Sequence, residues 1–184
     1  MRDTGRVPAI RPPVLRDGDL TLRPPRPDDA DAVTAACQDA AIQRWVRVPS
    51  PYEREHADTW LAGCSAHAES GEAVTLLAED GDGRLAGSFS LLELTRGERY
   101  GEIGYWVAPG LRGRGIATRS VLLLRDWAAG ALGLRTIEIL VHRDNEPSRA
   151  VARRAGFADT GELRTLPRDE DPEPPELIVH RWEA

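Results

Sequence analysis

The chain has 184 residues, 41% of them hydrophobic, and a formal net charge of −6. That length suits one globular domain with a real core, the acidic balance argues against duplex nucleic acid as a partner, and no apolar run reaches the roughly eighteen residues of a membrane helix. All 24 basic residues are arginine, which excludes a lysine nucleophile, a Schiff base and a Walker-type phosphate lysine.

Residues 1–14 are polar and Pro-rich and lack the apolar core of a signal peptide. They are expected to be a flexible leader to a single domain over 15–184 in a cytoplasmic protein. Leu20 to Arg23 reads as a short strand, and Pro27, Asp28 and Asp29 suit the first turn of a following helix. Ser50 to Gly71 reads as a second helix, with Ser50 as its cap, Trp60, Leu61 and Cys64 as apolar spacing, and Gly71 as its stop. Two apolar runs around Asp80-Gly81-Asp82-Gly83 predict a hairpin. A further strand runs through Tyr100 to Val107. A long helix follows the turn at Arg112, with Ile116, Leu123, Leu124, Trp127 and Ala131 as its apolar stripe and Ser120 as a small polar interruption.

Arg135 to His142 is the next strand. Asn145 caps a short helix with Pro147 in its first turn and Gly156 as its stop. Phe157 opens another strand, Asp169, Glu170, Asp171 and Glu173 lie in an acidic Pro-rich loop, and Leu177 to Trp182 is the last strand. The order β-α-α-β-β-β-α-β-α-β-β predicts a mixed α/β sheet with a strand–turn–helix crossover in its middle. Cys37 and Cys64 make no disulfide framework, and His56, His67, His142 and His180 have no ligand spacing, so no metal is expected.

The turn Arg112-Gly113-Arg114-Gly115 joins a strand to a helix. A helix N-terminus exposes unpaired N–H groups and partial positive charge, and the two glycines let an anion approach the main chain. A plain glycine turn explains the same residues. The flanks separate these readings. Arg112-Gly113-Arg114-Gly115-Ile116-Ala117 resembles the Gln/Arg-x-x-Gly-x-Gly/Ala signature of the GNAT acetyltransferases. The strand from Glu102 to Val107 resembles the fourth strand of their RimJ/RimL-like group, which acetylates ribosomal-protein alanine N-termini. Asn145 to Phe157 is similar to that group's Asn-x-x-Ser…Gly-Phe segment. The resemblance runs from about Leu15 to Trp182.

It implies a mostly antiparallel mixed sheet with a central splayed parallel strand pair and flanking helices. It implies acetyl-CoA held between the strands of Val107 and Leu140. Main-chain groups of Val107 would take the pantetheine arm. The amides of Arg114, Gly115, Ile116, Ala117 and Thr118 would take the pyrophosphate, with Gly113 opening the approach and Arg112 and Arg114 adding charge at the rim. Asn145 would reach the cofactor, or serve as a helix cap alone, or both.

Direct attack of an amine on a thioester needs a base, a polarised carbonyl and a donor for the leaving thiolate. The resemblance makes Glu102 the base, against a merely salt-bridged glutamate. Many relatives carry a tyrosine where Ala152 stands, so that acid is missing. Ser148 would bond the sulfur or else cap its helix. Trp45, Tyr52 and Trp106 fall on the acceptor side, with Trp106 sharing the face of Glu102 if no bulge intervenes. The expected acceptor is a small-molecule amine or a protein or peptide N-terminus, with a homodimer left open. The alternative is a non-catalytic CoA-binding or partner-binding module on the same fold.

Overall fold

The computed structural model describes residues 9–46, 48–95, 99–165 and 175–184. The acidic loop residues Asp169, Glu170, Asp171 and Glu173 lie outside them. In chain order the elements are β1 (Leu15–Asp17), β2 (Leu20–Arg23), α1 (Ala30–Cys37), α2 (Ala40–Trp45), α3 (Arg54–Ser70), β3 (Val74–Glu79), β4 (Leu85–Leu92), β5 (Tyr100–Val107), α4 (Ile116–Ala131), β6 (Thr136–His142), α5 (Glu146–Arg154), β7 (Ala158–Thr165) and β8 (Glu176–Glu183). The eight strands form one sheet in the order β1-β2-β3-β4-β5-β6-β8-β7. Every neighbouring pair is antiparallel except β5 and β6. This is the mixed, mostly antiparallel sheet that the resemblance implies.

Alternation along the strands divides the apolar residues between two faces. Leu76, Phe89, Leu91, Ile103, Ile137, Ile139 and Val141 pack with Ile116, Val121, Leu124 and Ala128 of α4 and Ala152 of α5. Leu77 and Trp106 turn the other way, against Val33 and Cys37 of α1, Ile42 of α2 and Ala57 and Leu61 of α3. Among the described residues, no helix is long and apolar enough to cross a membrane.

Several details differ from the sequence expectation. The first predicted helix is two, because α1 ends at Cys37 and Asp39 caps α2 by accepting from the Ile42 amide at 3.0 Å. Asp29 is more than a first-turn carboxylate: Arg23 of β2 grips both its oxygens, at 2.8 and 2.6 Å, tying the strand to the start of α1. Ser50 does not cap α3. Its hydroxyl donates to Gln43 Oε1, and α3 starts after Glu53, whose N–H donates to His56 Nδ1 at 2.9 Å. The buried stripe of α4 is Ile116, Ser120, Val121, Leu124 and Ala128, rotated from the expected one, with Ala131 exposed. At the N-terminus, the chain is docked as early as Ile10, whose amide donates to Ala68 O at 2.8 Å.

Candidate active site

β5 and β6 pair at Tyr100↔Thr136, Gly101↔Ile137 and Glu102↔Glu138, and then part. Each stays laddered on its outer side, β5 to β4 as far as Val107 and β6 to β8 as far as His142. The sheet therefore splits down its middle into a wedge. Ala108 N donates to Ala86 O, in the same register that pairs Val107 with Gly87. Main-chain groups of alternate residues point to alternate sides of a strand, so those of Tyr105 and Val107 face the gap. By the same parity, from Ala184 N donating to Arg135 O, the groups of Leu140 face it from β6. Buried main-chain donors and acceptors need partners, and a wedge lined in this way suits a ligand that carries amides of its own.

The helices that follow the two strands, α4 and α5, both begin at the open end of the wedge. Ligands of open α/β sheets bind at the carboxyl ends of strands where the connections diverge. Gly113 and Gly115 have φ of +77° and +76°, a conformation that favours glycine. A Cβ at either would meet nothing within 4 Å, so the space before the loop is open. Gly87 is the opposite case, since a Cβ there would lie 2.3 Å from Trp106 O. The first α4 turn closes with Arg119 N donating to Gly115 O, so the amides of Ile116, Ala117 and Thr118 have no partner within the helix. The buried Ile116 side chain anchors this turn in the core.

The two loop arginines differ. Arg112 is committed to the protein: Nη2 bonds Asp39 Oδ1 at 2.6 Å and Nε donates to Val107 O at 3.1 Å. Its charge holds the Asp39 carboxyl below its ordinary range. Arg114 is exposed and forms no ion pair among the described residues.

On the α1–α3 face, Glu102 stands beside Glu138 where the strands still pair. Glu138 is buried and takes bonds from Tyr100 Oη (2.7 Å), Arg164 Nη1 (2.8 Å) and Arg181 Nε (2.8 Å). The β5 ladder is uninterrupted from Glu102 to Val107, so Trp106 does share the face of Glu102. Trp106 and Tyr52 are packed within the core under α1–α3. Burial pushes the Tyr52 phenol up to about 12. Trp45 lies outside that core, its ring 5.2 Å from that of His142, so that α2 meets the end of β6 at the open end of the wedge.

On the α4–α5 face, Asn145 Oδ1 caps α5 by accepting from the Ser148 amide at 3.2 Å. The Ser148 hydroxyl is not the cap. It lies 2.8 Å from the Tyr105 hydroxyl. Sequence reasoning missed Tyr105, His142 and Glu138. Strand parity offered signals for two of them: Tyr105 lies opposite in phase to Glu102, and Glu138 is a lone acid between Ile137 and Ile139.

A sequence model described as the Acetyltransferase (GNAT) domain matches residues 19–158. The chain belongs to the GNAT acetyltransferase family. It is an N-acetyltransferase with acetyl-CoA as cosubstrate, and it is similar to the RimJ/RimL-like group. Bacillus subtilis (strain 168) YdaF, assigned to the ribosomal N-acetyltransferases, is 41% identical over 83 residues, 45% of each chain, so the chain spans under half of that relative. The spermidine N(1)-acetyltransferase of Escherichia coli (strain K12) is 29% identical over 145 residues, 78% of this chain and 75% of its own. Among solved structures, Mycobacterium smegmatis RimJ in complex with CoA-disulfide superposes with a TM-score of 0.79 at 28% identity, covering 94% of this chain and 86% of that one.

Proposed function

We propose that this acetyltransferase moves acetyl by direct attack to a primary amine, either a protein or peptide N-terminus or a small polyamine-like molecule. The observation that carries the reading is the wedge, whose inward main-chain groups lead straight to the open N-terminus of α4. Acetyl-CoA supplies the activated acetyl group. Val107 pairs with the pantetheine amides. The amides of Gly113 to Thr118 receive the pyrophosphate, the Arg114 guanidinium adds charge, and Arg112 braces the loop through Asp39. Asn145 holds the first turn of α5 beside the cofactor.

The two chemical jobs fall on opposite faces of the sheet. Glu102 takes the amine's proton on the α1–α3 face, directly or through water, so that the nitrogen attacks as a neutral nucleophile. Ser148 donates to the sulfur from the α4–α5 face as the carbon–sulfur bond breaks. Trp45 borders the acceptor's approach, while Tyr52 and Trp106 shape it from beneath. The polyamine and ribosomal names of the relatives support both acceptor classes. The proposed setting is the cytoplasm.

The test is acetyl-CoA turnover against a panel of N-terminal peptides and polyamines, with Gly115→Glu as the cofactor-site variant. The added carboxylate should cut acetyl-CoA affinity steeply by calorimetry. Gly115→Asn tolerates left-handed backbone and should retain far more, which separates charge from strain. Unchanged affinity in folded Gly115→Glu would remove the cradle, and turnover of no amine in the panel would remove the acceptor class.

A further inference from the structure

Ala152 stands where many relatives place a tyrosine, yet a phenol reaches the same helix from β5. The Tyr105 ring stacks on Phe89, with centroids 5.5 Å apart and planes at 7°, and its hydroxyl lies 2.8 Å from Ser148 Oγ. Among the described residues this is the only hydrogen bond either hydroxyl makes.

We propose that Tyr105 is a positioning residue for acetyl transfer: its phenol donates to Ser148 Oγ and so aims the Ser148 hydroxyl proton at the thioester sulfur. The inference rests on the reading of Ser148 as sulfur donor. Two hydroxyls share one contact, and its direction follows from what each arrangement strands. If Ser148 donated, the phenol proton would have no acceptor among the described residues, at the cost of an unmade bond. If Tyr105 donates, both needs are met and the serine proton is left for the wedge. A phenol is the better donor of the two, and a donated bond polarises the next one in the chain. Burial pushes the Tyr105 phenol up to about 12, so it keeps its proton at neutral pH. For the same reason it is no net acid for a thiolate, whose conjugate acid is far stronger. The role is to orient: Ser148 donates a hydrogen bond to the departing sulfur, and the proton that finally neutralises the thiolate comes from solvent.

The experiment is a double-mutant cycle on the whole chain. Tyr105→Phe keeps the ring on Phe89 and removes only the hydroxyl. It should lower kcat roughly 10-fold, the scale of one hydrogen bond made during reaction, with the KM for acetyl-CoA and the melting temperature little changed. Ser148→Ala should lower kcat at least as much, and Tyr105→Phe should then add nothing. Additive losses, or an unaltered kcat in Tyr105→Phe while Ser148→Ala is slow, overturn the role of Tyr105. A fully active Ser148→Ala instead overturns the sulfur-donor reading beneath it. If Tyr105→Phe fails to fold, 3,5-difluorotyrosine at position 105 keeps the fold and lowers the phenol pKa. Its kcat should fall once the phenol ionises and can no longer donate. A kcat that stays level through that pH range would contradict the proposal.

Discussion

The two ends of the β5–β6 strand pair are built to opposite rules. At the closed end, three residue pairs ladder the strands, and the side chains above them form a dense ionic cluster in which Glu138 binds Tyr100, Arg164 and Arg181. At the open end, main-chain groups of Tyr105, Val107 and Leu140 face a gap, and side chains from both neighbouring layers converge on it. The closed end spends its polar groups on one another, whereas at the open end Val107 O is taken by Arg112 and the other inward groups are those proposed to meet a ligand. Glu102 sits at the junction, on the last paired residue of β5. A splayed strand pair needs a clamp where it is joined, and the ionic cluster occupies that position.

Substitutions at the two ends should therefore separate rate from stability. The largest effect expected is on rate at the junction. Glu102→Gln keeps the size and loses basicity, and turnover should drop by roughly 10²–10⁴ with little change in melting temperature. The loss should shrink at high pH, where the acceptor amine is already neutral. A variant as fast as wild type at neutral pH would make Glu102 part of the clamp.

The next effect is on stability at the closed end. Glu138→Ala leaves Arg164 and Arg181 without their shared buried partner. It should cost about 3 kcal/mol, the lower end for a broken buried pair, because Glu162 still bonds both arginines. Denaturant titration measures this. Burial raises the Glu138 carboxyl, but Tyr100, Arg181 and Arg164 together outweigh it and hold it below its ordinary 4.5. The unfolded chain thus takes up this proton at higher pH than the folded one. The contribution is complete above the ordinary carboxylate value and is lost as pH falls through the folded one. The acid limb of the stability profile should be shallower in Glu138→Gln than in wild type.

The smallest effect is on the loop. The Arg112–Asp39 pair is partly exposed, and Arg112→Ala should cost less than about 1 kcal/mol. Acetyl-CoA affinity should fall more in Arg114→Ala than in Arg112→Ala. The reverse order by calorimetry would reassign the two arginines.

Most of the strands were legible because their apolar alternation is strong and Asp80-Gly81-Asp82-Gly83 marks a hairpin. The turn at Gly113 and Gly115 was legible because positive φ restricts residue choice, so the conformation leaves its mark in the sequence. The break between α1 and α2 was not, since Ala-rich sequence continues through it and Asp39 acts as a cap only once the chain has turned. Ser120 read as a polar interruption, yet a small hydroxyl fits the buried stripe of α4. The Tyr105–Ser148 contact joins residues 43 apart. No local period encodes such a pair, which arises only when α5 folds back over β5. Asn145 carried its own signal, because a cap serves the helix that follows it directly.

On the proposed reading, the open half of the wedge receives acetyl-CoA while the closed half stays a clamp. Amide hydrogen exchange resolved by residue, with and without coenzyme A, tests it most directly. Slowed exchange confined to Val107, Leu140 and the Ile116–Thr118 turn, with Gly101 and Ile137 unchanged, is the predicted result. Protection at Gly101 and Ile137, or none at Val107 and Leu140 under saturating coenzyme A, would contradict it.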